Sequence, residues 1–321
     1  MKEKDNDLCS ICCLSYNHAK YIKQAIQSFW DQNYKNIEII AIDDGSSDKS
    51  APVLEELKTI SPCPMQVISQ ENTGNIGLNF NRAFKKASGK YIAIIALDDQ
   101  LTQDAISKKI ELMEKDDSII FIANSKIQGI DANGKFNNLV DPMKLDEIEN
   151  PTYQDLLDLE YNHFHSYYLQ GSVIKKEVIE KIGGFDEDML GDDIVLRTKL
   201  ARYVQNNLGT KFVILKDIAC YYRLHDNNIS SNSYRQILIV TQYLDKYWEN
   251  YKNPKAYNLW VKYMIGRVEK DLLIKVFKLK RAKIGLLNPR VIWRLLARGY
   301  FFTLLVILKN NIFEKNDEDI E

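Results

Sequence analysis

No apolar run in this chain approaches the ~18 residues needed to cross a bilayer; the run at 300–308 covers nine residues. The five cysteines are too few and too unevenly spaced to make a disulfide framework for 321 residues. Cys9 and Cys12 stand as Cys-x-x-Cys, but no further Cys or His pair follows at metal-ligand spacing. They read as buried, reduced thiols. Excess charge is also missing: 43 Lys and Arg against 44 Asp and Glu leave −1, which argues for no nucleic-acid partner. The first seven residues are polar and charged, so no secretory leader is expected and the chain reads as cytoplasmic.

What is present begins with one stretch. An apolar, β-branched run at 37–42 ends abruptly in Asp43-Asp44-Gly45. A second run, 91–97, ends in Asp98-Asp99. Each reads as a buried strand whose carboxyl end carries an acidic pair to one edge of a sheet. Ligands of open α/β sheets sit outside those ends, often where a glycine lets backbone approach. One Asp-Asp pair is commonly a turn or a helix cap; two at equivalent strand ends describe a polar site.

Taken in order, 8–14 is a strand bounded by Ser15-Tyr16-Asn17, and Tyr21, Ala25 and Phe29 give a helical stripe after it. Strand 37–42, a helix from 46–50 onward, strand 65–69, a Gly74/Gly77 loop, helix 78–87 and strand 91–97 complete β-α-β-α-β-α-β. That order predicts a doubly wound, mostly parallel sheet. Beyond it, 103–115 is an amphipathic helix, 119–123 a strand, and 130–135 a hairpin turn. Residues 141–168 read as irregular and pocket-lining. A strand at 171–174, a helix at 176–182 stopped by Gly183-Gly184, a helix at 194–203 and two strands at 212–215 and 218–222 follow. Charge is divided along the chain: 15 Lys and Arg against 7 Asp and Glu from Lys252 onward, and 28 against 37 before it. An acidic front and a basic, helical back belong to different tasks.

These residues resemble, in register, the motifs of the inverting glycosyltransferases of family 2, which carry the GT-A fold. The match runs from about 8 to 235. It rests on Ser15-Tyr16-Asn17, Asp43-Asp44-Gly45-Ser46, Asn72-Thr73-Gly74 with Arg82, Asp98-Asp99, Gly183-Gly184-Phe185-Asp186 with Asp192-Asp193, and Tyr222-Arg223-Leu224-His225. Three departures are visible. The proline usual before the first Tyr-Asn is absent, the acidic triad lacks its first carboxylate, and the late acidic pair is Asp-Asp rather than Glu-Asp.

The resemblance implies a catalytic region at 1–235, with a nucleotide-sugar half at about 1–125 and an acceptor half at about 126–235, and a basic helical region at 236–321. It implies a nucleotide diphosphate sugar, most simply a UDP-sugar, bound by Ser15, Tyr16, Asn17, Asp43, Asp44, Asn72, Gly74, Arg82 and Asp98. It further implies Mn²⁺ or Mg²⁺ on Asp99 and His225, and Asp193 as the general base with Asp192 assisting. His18, His163 and His165 match no motif. A non-catalytic nucleotide-binding scaffold on the same fold is the alternative. From Pro289, Arg290, Arg294 and Arg298 share one helical face opposite Ile292, Leu295 and Leu305. A basic amphipathic helix over 289–308 either lies at a membrane interface or packs on protein. The membrane reading fits a lipid-linked glycan acceptor in capsule, O-antigen or other surface-polysaccharide synthesis, with the enzyme peripheral at the inner face.

Overall fold

The computed structural model describes residues 7–190, 193–225, 232–265, 270–277, 279, 281–282, 289–297, 299–301 and 304–305. The chain forms two compact units: 1–160 with 165–225, and 161–164 with 226–321.

The first unit is built on β1 (Cys9–Ser15), β2 (Ile37–Asp43), β3 (Met65–Ser69) and β4 (Tyr91–Ala96). These run parallel in the order β3-β2-β1-β4, as the alternation of strands and helices predicts. Every residue of β2 is buried, the mark of a strand covered on both faces. The covering helices are α1 (Ile22–Trp30), α2 (Ser50–Thr59) and α3 (Ile76–Lys86). Helix α1 buries Ile22, Ala25, Ile26 and Phe29, one stripe at helical spacing. Helix α3 is capped by Asn75, whose side chain accepts from the Leu78 N–H at 3.0 Å.

The sheet then continues as β8-β6-β9-β5, through β5 (Gln100–Leu101), β6 (Ile119–Ile130), β8 (Tyr168–Lys175) and β9 (Lys211–Arg223), with β7 (Phe136–Pro142) hairpinned onto β6. Strand β8 runs antiparallel to both β4 and β6. Strand β9 is one element where the sequence suggests two: the exposed Lys216-Asp217 interrupts its apolar pattern but not its pairing with β6. The segment 141–168, expected to be irregular, instead contains a 3₁₀ turn (Lys144–Glu147) and α5 (Tyr153–His163). Helix α5 buries only Leu156, Leu157 and Glu160, too narrow a stripe to announce itself. Its start is fixed by a reciprocal cap: Thr152 N–H donates to Asp155 and Asp155 N–H to the Thr152 hydroxyl. Helices α4 (Ser107–Lys115), α6 (Lys176–Ile182) and α7 (Asp193–Asn206) complete this unit.

Cys9, Cys12, Cys13 and Cys220 are buried, Cys63 is half-buried, and all five are free thiols. Burial pushes the Cys9 thiol up to about 12, so it is an inert packing group.

In the second unit, α8 (Ser233–Tyr247), α9 (Lys255–Ile265), α10 (Lys270–Phe277) and α11 (Pro289–Ala297) are described. Arg281 ties it together, donating to the carbonyls of Trp248 and Glu249 and to the Asn253 side chain. Leu295 and Leu304 are buried, whereas Trp293, Phe301 and Leu305 are exposed. The side chains of Arg290 and Arg294, and all of Arg298 and 306–308, lie outside the described residues. Among the described residues no helix is long and apolar enough to cross a membrane.

One buried cation in the first unit is unpaired by any carboxylate hydrogen bond. Lys109 on α4 is 1% exposed and donates to the Ala105 carbonyl at 2.7 Å. Burial pulls its ammonium down to about 7 from an ordinary 10.5, with Asp217 opposing. Below pH 7 the folded protein carries the whole cost of the buried charge. Between 7 and 10.5 the unfolded chain holds the extra proton, so stability rises with pH by about 1.4 kcal/mol per unit from this group. Lys109→Met should therefore be more favourable at pH 6 than at pH 9 by about 2 kcal/mol, measured by urea unfolding at both values. An equal effect at both would show that Lys109 does not titrate in that window.

Candidate active site

Register places the strand ends in a row. Ser15 of β1 lies opposite Asp43 of β2, and Leu14 opposite Ala96 of β4, so Ser15, Asp43 and the turn carrying Asp98 share one edge. The Asp43 carboxylate accepts from the Ser46 N–H at 3.0 Å and hydroxyl at 2.6 Å, closing the turn. Asp44 accepts from Gln70 Nε2 and Thr73 N, both at 2.9 Å, and from Gly74 N at 3.2 Å. Burial pushes this carboxyl up, but those donors outweigh it and hold the group below its usual range.

The loops are fastened to one another. Asn17, in a left-handed conformation at φ 58°, accepts from Ser47 N at 2.8 Å and Asp48 N at 3.3 Å. Gly45 (φ +66°) passes so near the next loop that a Cβ there would sit 2.4 Å from Asn72 N, which only glycine allows. Gly74 donates to the Asn72 side chain at 2.8 Å, and Arg82 donates to Gln70 Oε1 at 2.5 Å. Tyr16 is 45% exposed, its ring presented to solvent, and the Ser15 hydroxyl is buried with no partner among the described residues. Ser15, Tyr16, Asn17, Asp43, Asp44, Asn72, Gly74 and Arg82 thus form one continuous edge.

Asp98 and Asp99 part company. They lie in the tight turn between β4 and β5, and the two side chains leave it in different directions. Asp99 is 1% exposed and accepts from Arg223 N at 2.8 Å. Asp98 Oδ2 instead lies 3.1 Å from His225 Nε2 and 3.7 Å from His18 Nε2. The two carboxylates therefore stand in the reverse of the expected arrangement: Asp98, not Asp99, shares a cluster with His225. Burial and the neighbouring Asp98 charge push Asp99 well up from the usual carboxylate range. Asp98 Oδ1 is buried without a partner among the described residues. An ionic carboxylate with an unfilled oxygen beside an imidazole nitrogen fits a divalent cation.

What turns Asp98 this way is Arg223. Strand β5 pairs with β9, Gln100 opposite Tyr221, which brings the end of β9 beside the acidic turn. The Arg223 side chain is fully buried. Its Nε donates to the Asp98 carbonyl at 2.7 Å, Nη1 to the Asp131 carbonyl at 3.0 Å, and Nη2 to Gln24 Oε1 at 2.8 Å. The guanidinium lies 4.8 Å from the centre of the Tyr21 ring.

The opposite wall comes from 183–197. Asn81 on α3 exchanges hydrogen bonds with Phe185, both at 2.9 Å, and Gly184 (φ +59°) approaches it so closely that a Cβ would lie 2.2 Å from Asn81 Oδ1. Asn75 donates to the carbonyls of Glu187 and Met189 at 3.0 and 2.8 Å. Asp193 then opens α7, with Asp193 Oδ2 3.7 Å from Arg197 Nη1 one turn on. Arg197 is held by Glu160 at 2.7 and 3.3 Å, both side chains buried. Asp192 lies outside the described residues. His163 and His165 are exposed.

A curled α/β sheet of this order, with carboxylates at the ends of β2 and β4 and a late histidine returning to them, is the GT-A fold of a glycosyltransferase. The model of the family "Glycosyl transferase family 2" matches residues 10–183, more than half of the chain. The chain belongs to that family. A protein of Nostoc, "Uncharacterized glycosyltransferase alr2836", is 28% identical over 227 residues, covering 68% of this chain and 65% of its own length. The "Putative teichuronic acid biosynthesis glycosyltransferase TuaG" of Bacillus subtilis is 32% identical over 106 residues, 33% of this chain and 42% of that protein. The fold is similar to that of S. aureus TarS 1-349 in complex with UDP-GlcNAc, at a TM-score of 0.57 and 14% identity over 86% of this chain and 89% of that one. Less than two thirds of the Nostoc and Bacillus proteins' length is spanned by these matches.

Sequence reasoning passes over three groups that the fold brings forward. His18 follows Asn17 on the loop leaving β1, and that position at a strand's carboxyl end was the available signal. Arg223 and the Glu160–Arg197 pair carry no local signal, because their partners are distant in the chain. Arg223→Met should leave three backbone and side-chain acceptors and a buried Asp99 without their donor, destabilising the fold by about 3–5 kcal/mol in denaturant titration. A loss below 1 kcal/mol would mean that the acidic turn holds itself.

Proposed function

We propose that this glycosyltransferase moves a sugar from a nucleotide diphosphate donor, a UDP-sugar, to a glycan hydroxyl with inversion at the anomeric carbon. The observation that carries the reading is the row of Ser15, Asp43, Asp44 and Asp98 at adjacent strand ends, faced by Asp193 at the start of α7. Asp44 retains lone-pair capacity for the N3–H of a uracil ring, and the exposed Tyr16 ring can lie against its face. The printed UDP-GlcNAc complex of TarS supports a UDP-sugar by likeness of fold. Arg82 reaches a phosphate or the sugar from Gln70.

In the reaction an acceptor oxygen attacks the anomeric carbon, the bond to the diphosphate breaks, and the nucleotide diphosphate leaves with that bond's electrons. Asp193 takes the proton from the attacking hydroxyl, and Arg197, fixed by Glu160, keeps the carboxylate in place. Asp98 and His225 would hold a divalent cation, Mn²⁺ in preference to Mg²⁺ because one donor is nitrogen. Such an ion neutralises charge on a departing diphosphate.

The test is nucleotide release from UDP-, GDP- and dTDP-sugars with Mn²⁺ and with chelator. UDP-sugars should be consumed only with metal; no donor bound or hydrolysed in any condition would leave the scaffold alternative. Asp193→Asn should lower transfer by about 10²–10⁴ while UDP affinity is kept, and Asp98→Ala should weaken metal-dependent UDP binding. The opposite pattern reverses the two sides of the site.

For the acceptor, we infer a lipid-linked glycan in surface-polysaccharide synthesis, reached from the membrane surface. The printed teichuronic acid role of TuaG supports this, as do the basic spacing of 290–298 and the exposed Trp293, Phe301 and Leu305. Anionic headgroups attract each nearby Lys or Arg by about 1 kcal/mol. Full-length protein should float with anionic vesicles, less so at high salt, and a Trp293→Ala/Phe301→Ala variant should float less. Equal recovery in the soluble fraction for both would leave this helix as a packing element.

A further inference from the structure

The strongest group not used above is His18. It sits on the loop leaving β1, where its backbone is fixed: His18 N–H donates to the Ser50 hydroxyl at 2.9 Å, and the next N–H, of Ala19, to Asp48 at 3.0 Å. The side chain is only 16% exposed, yet neither ring nitrogen is engaged by a regular hydrogen bond. Nδ1 is buried with no partner among the described residues. Nε2 faces Asp98 Oδ2 at 3.7 Å, too long for a hydrogen bond. A buried imidazole with two unfilled nitrogens is costly unless something else satisfies it.

The surroundings say what. One ligand atom each from His18, Asp98 and His225 lies within 4.8 Å of the others, a spacing that a single ion can bridge. The two rings meet edge to face at 6.2 Å, and the Tyr21 ring, 4.9 Å from that of His225, backs the cluster on its apolar side. Asp98 Oδ1 is the second unfilled buried atom at the same point. Three unfilled or half-filled donors converging from β1, the β4–β5 turn and the end of β9 do not describe a packed core.

We propose that His18 is a direct metal ligand, so that the site is two imidazoles and one carboxylate and selects borderline transition-metal ions over Mg²⁺. This rests on the glycosyltransferase reading for the presence of a cation, and adds the ligand and the selectivity. Mg²⁺ takes hard oxygen donors at strict octahedral geometry, and each imidazole in place of an oxygen moves the preference toward Mn²⁺, Co²⁺ and the later ions. Three protein donors leave the remaining coordination positions open to oxygens of a bound diphosphate.

The experiment counts nitrogen ligands directly. Mn²⁺ would be bound to the full-length protein with UDP present, and its electron spin-echo modulation from ¹⁴N recorded. Wild type should give modulation from two imidazoles, and His18→Gln from one. Calorimetry with Mn²⁺ should show about 10–100-fold weaker binding in His18→Gln, the usual cost of losing a metal-supporting group. His18→Asp, which trades nitrogen for oxygen, should narrow the ratio of Mn²⁺ to Mg²⁺ affinity. Far-ultraviolet dichroism and thermal unfolding of each variant separate a lost ligand from a disordered loop. A single ¹⁴N ligand in wild type, or affinity unchanged in a folded His18→Gln, overturns the proposal and leaves the Asp98–His225 reading standing. No metal-dependent signal in wild type while UDP still binds overturns both metal assignments and spares the nucleotide edge.

Discussion

Burial of the Arg223 guanidinium is the constraint on which the geometry of this site depends. A cation removed from water must find acceptors in nearly every direction its planar fork points. Here they come from the acidic turn after β4, the hairpin turn after β6 and helix α1, with an aromatic face beside them. Four pieces of chain far apart in sequence are thereby given one relative position. The main-chain N–H of the same residue engages Asp99, so that carboxylate is drawn inward and its neighbour is left facing the open edge. A substitution at Arg223 would disturb the site without touching any group in it.

A second tie works at longer range. Helix α3 carries Arg82 toward the nucleotide edge, and the same helix holds the 183–189 loop through Asn75 and Asn81. The close approach of Gly184 leaves no space for a side chain between them. The element before Asp193 is therefore positioned by the element after the Asn72–Gly74 loop. Glu160 and Arg197 then fix the first turns of α7 from the other side, as a buried pair whose members satisfy each other.

The parallel half of the sheet was legible because its signals are local. Apolar runs of strand length, acidic pairs after them and helical stripes between them are read from windows of a dozen residues. The distribution of roles between Asp98 and Asp99 was not legible, since adjacency does not say which side chain a remote arginine will draw inward. Helix α5 was hidden by a core stripe that includes a glutamate, buried only because Arg197 meets it. Strand β9 was broken in two by Lys216 and Asp217, which face solvent without ending the ladder. His18 was passed over for the same reason as Arg223: its partners arrive from β4 and β9, and no spacing in the chain records them.

The direction of β8 carries a consequence of a different kind. Because this strand runs against β4, with Tyr91 beside Lys175, it is the beginning of β8 and not its end that lies at the edge holding Asp98. In the parallel half, the edge is furnished by residues that follow each strand. Past β4 it is furnished by what leads into one. Insertions and replacements upstream of Tyr168 can therefore accumulate over evolutionary time without shifting the register of β1, β2 or β4. A lineage of such enzymes is free to diversify what it glycosylates while its grip on the donor stays under purifying constraint.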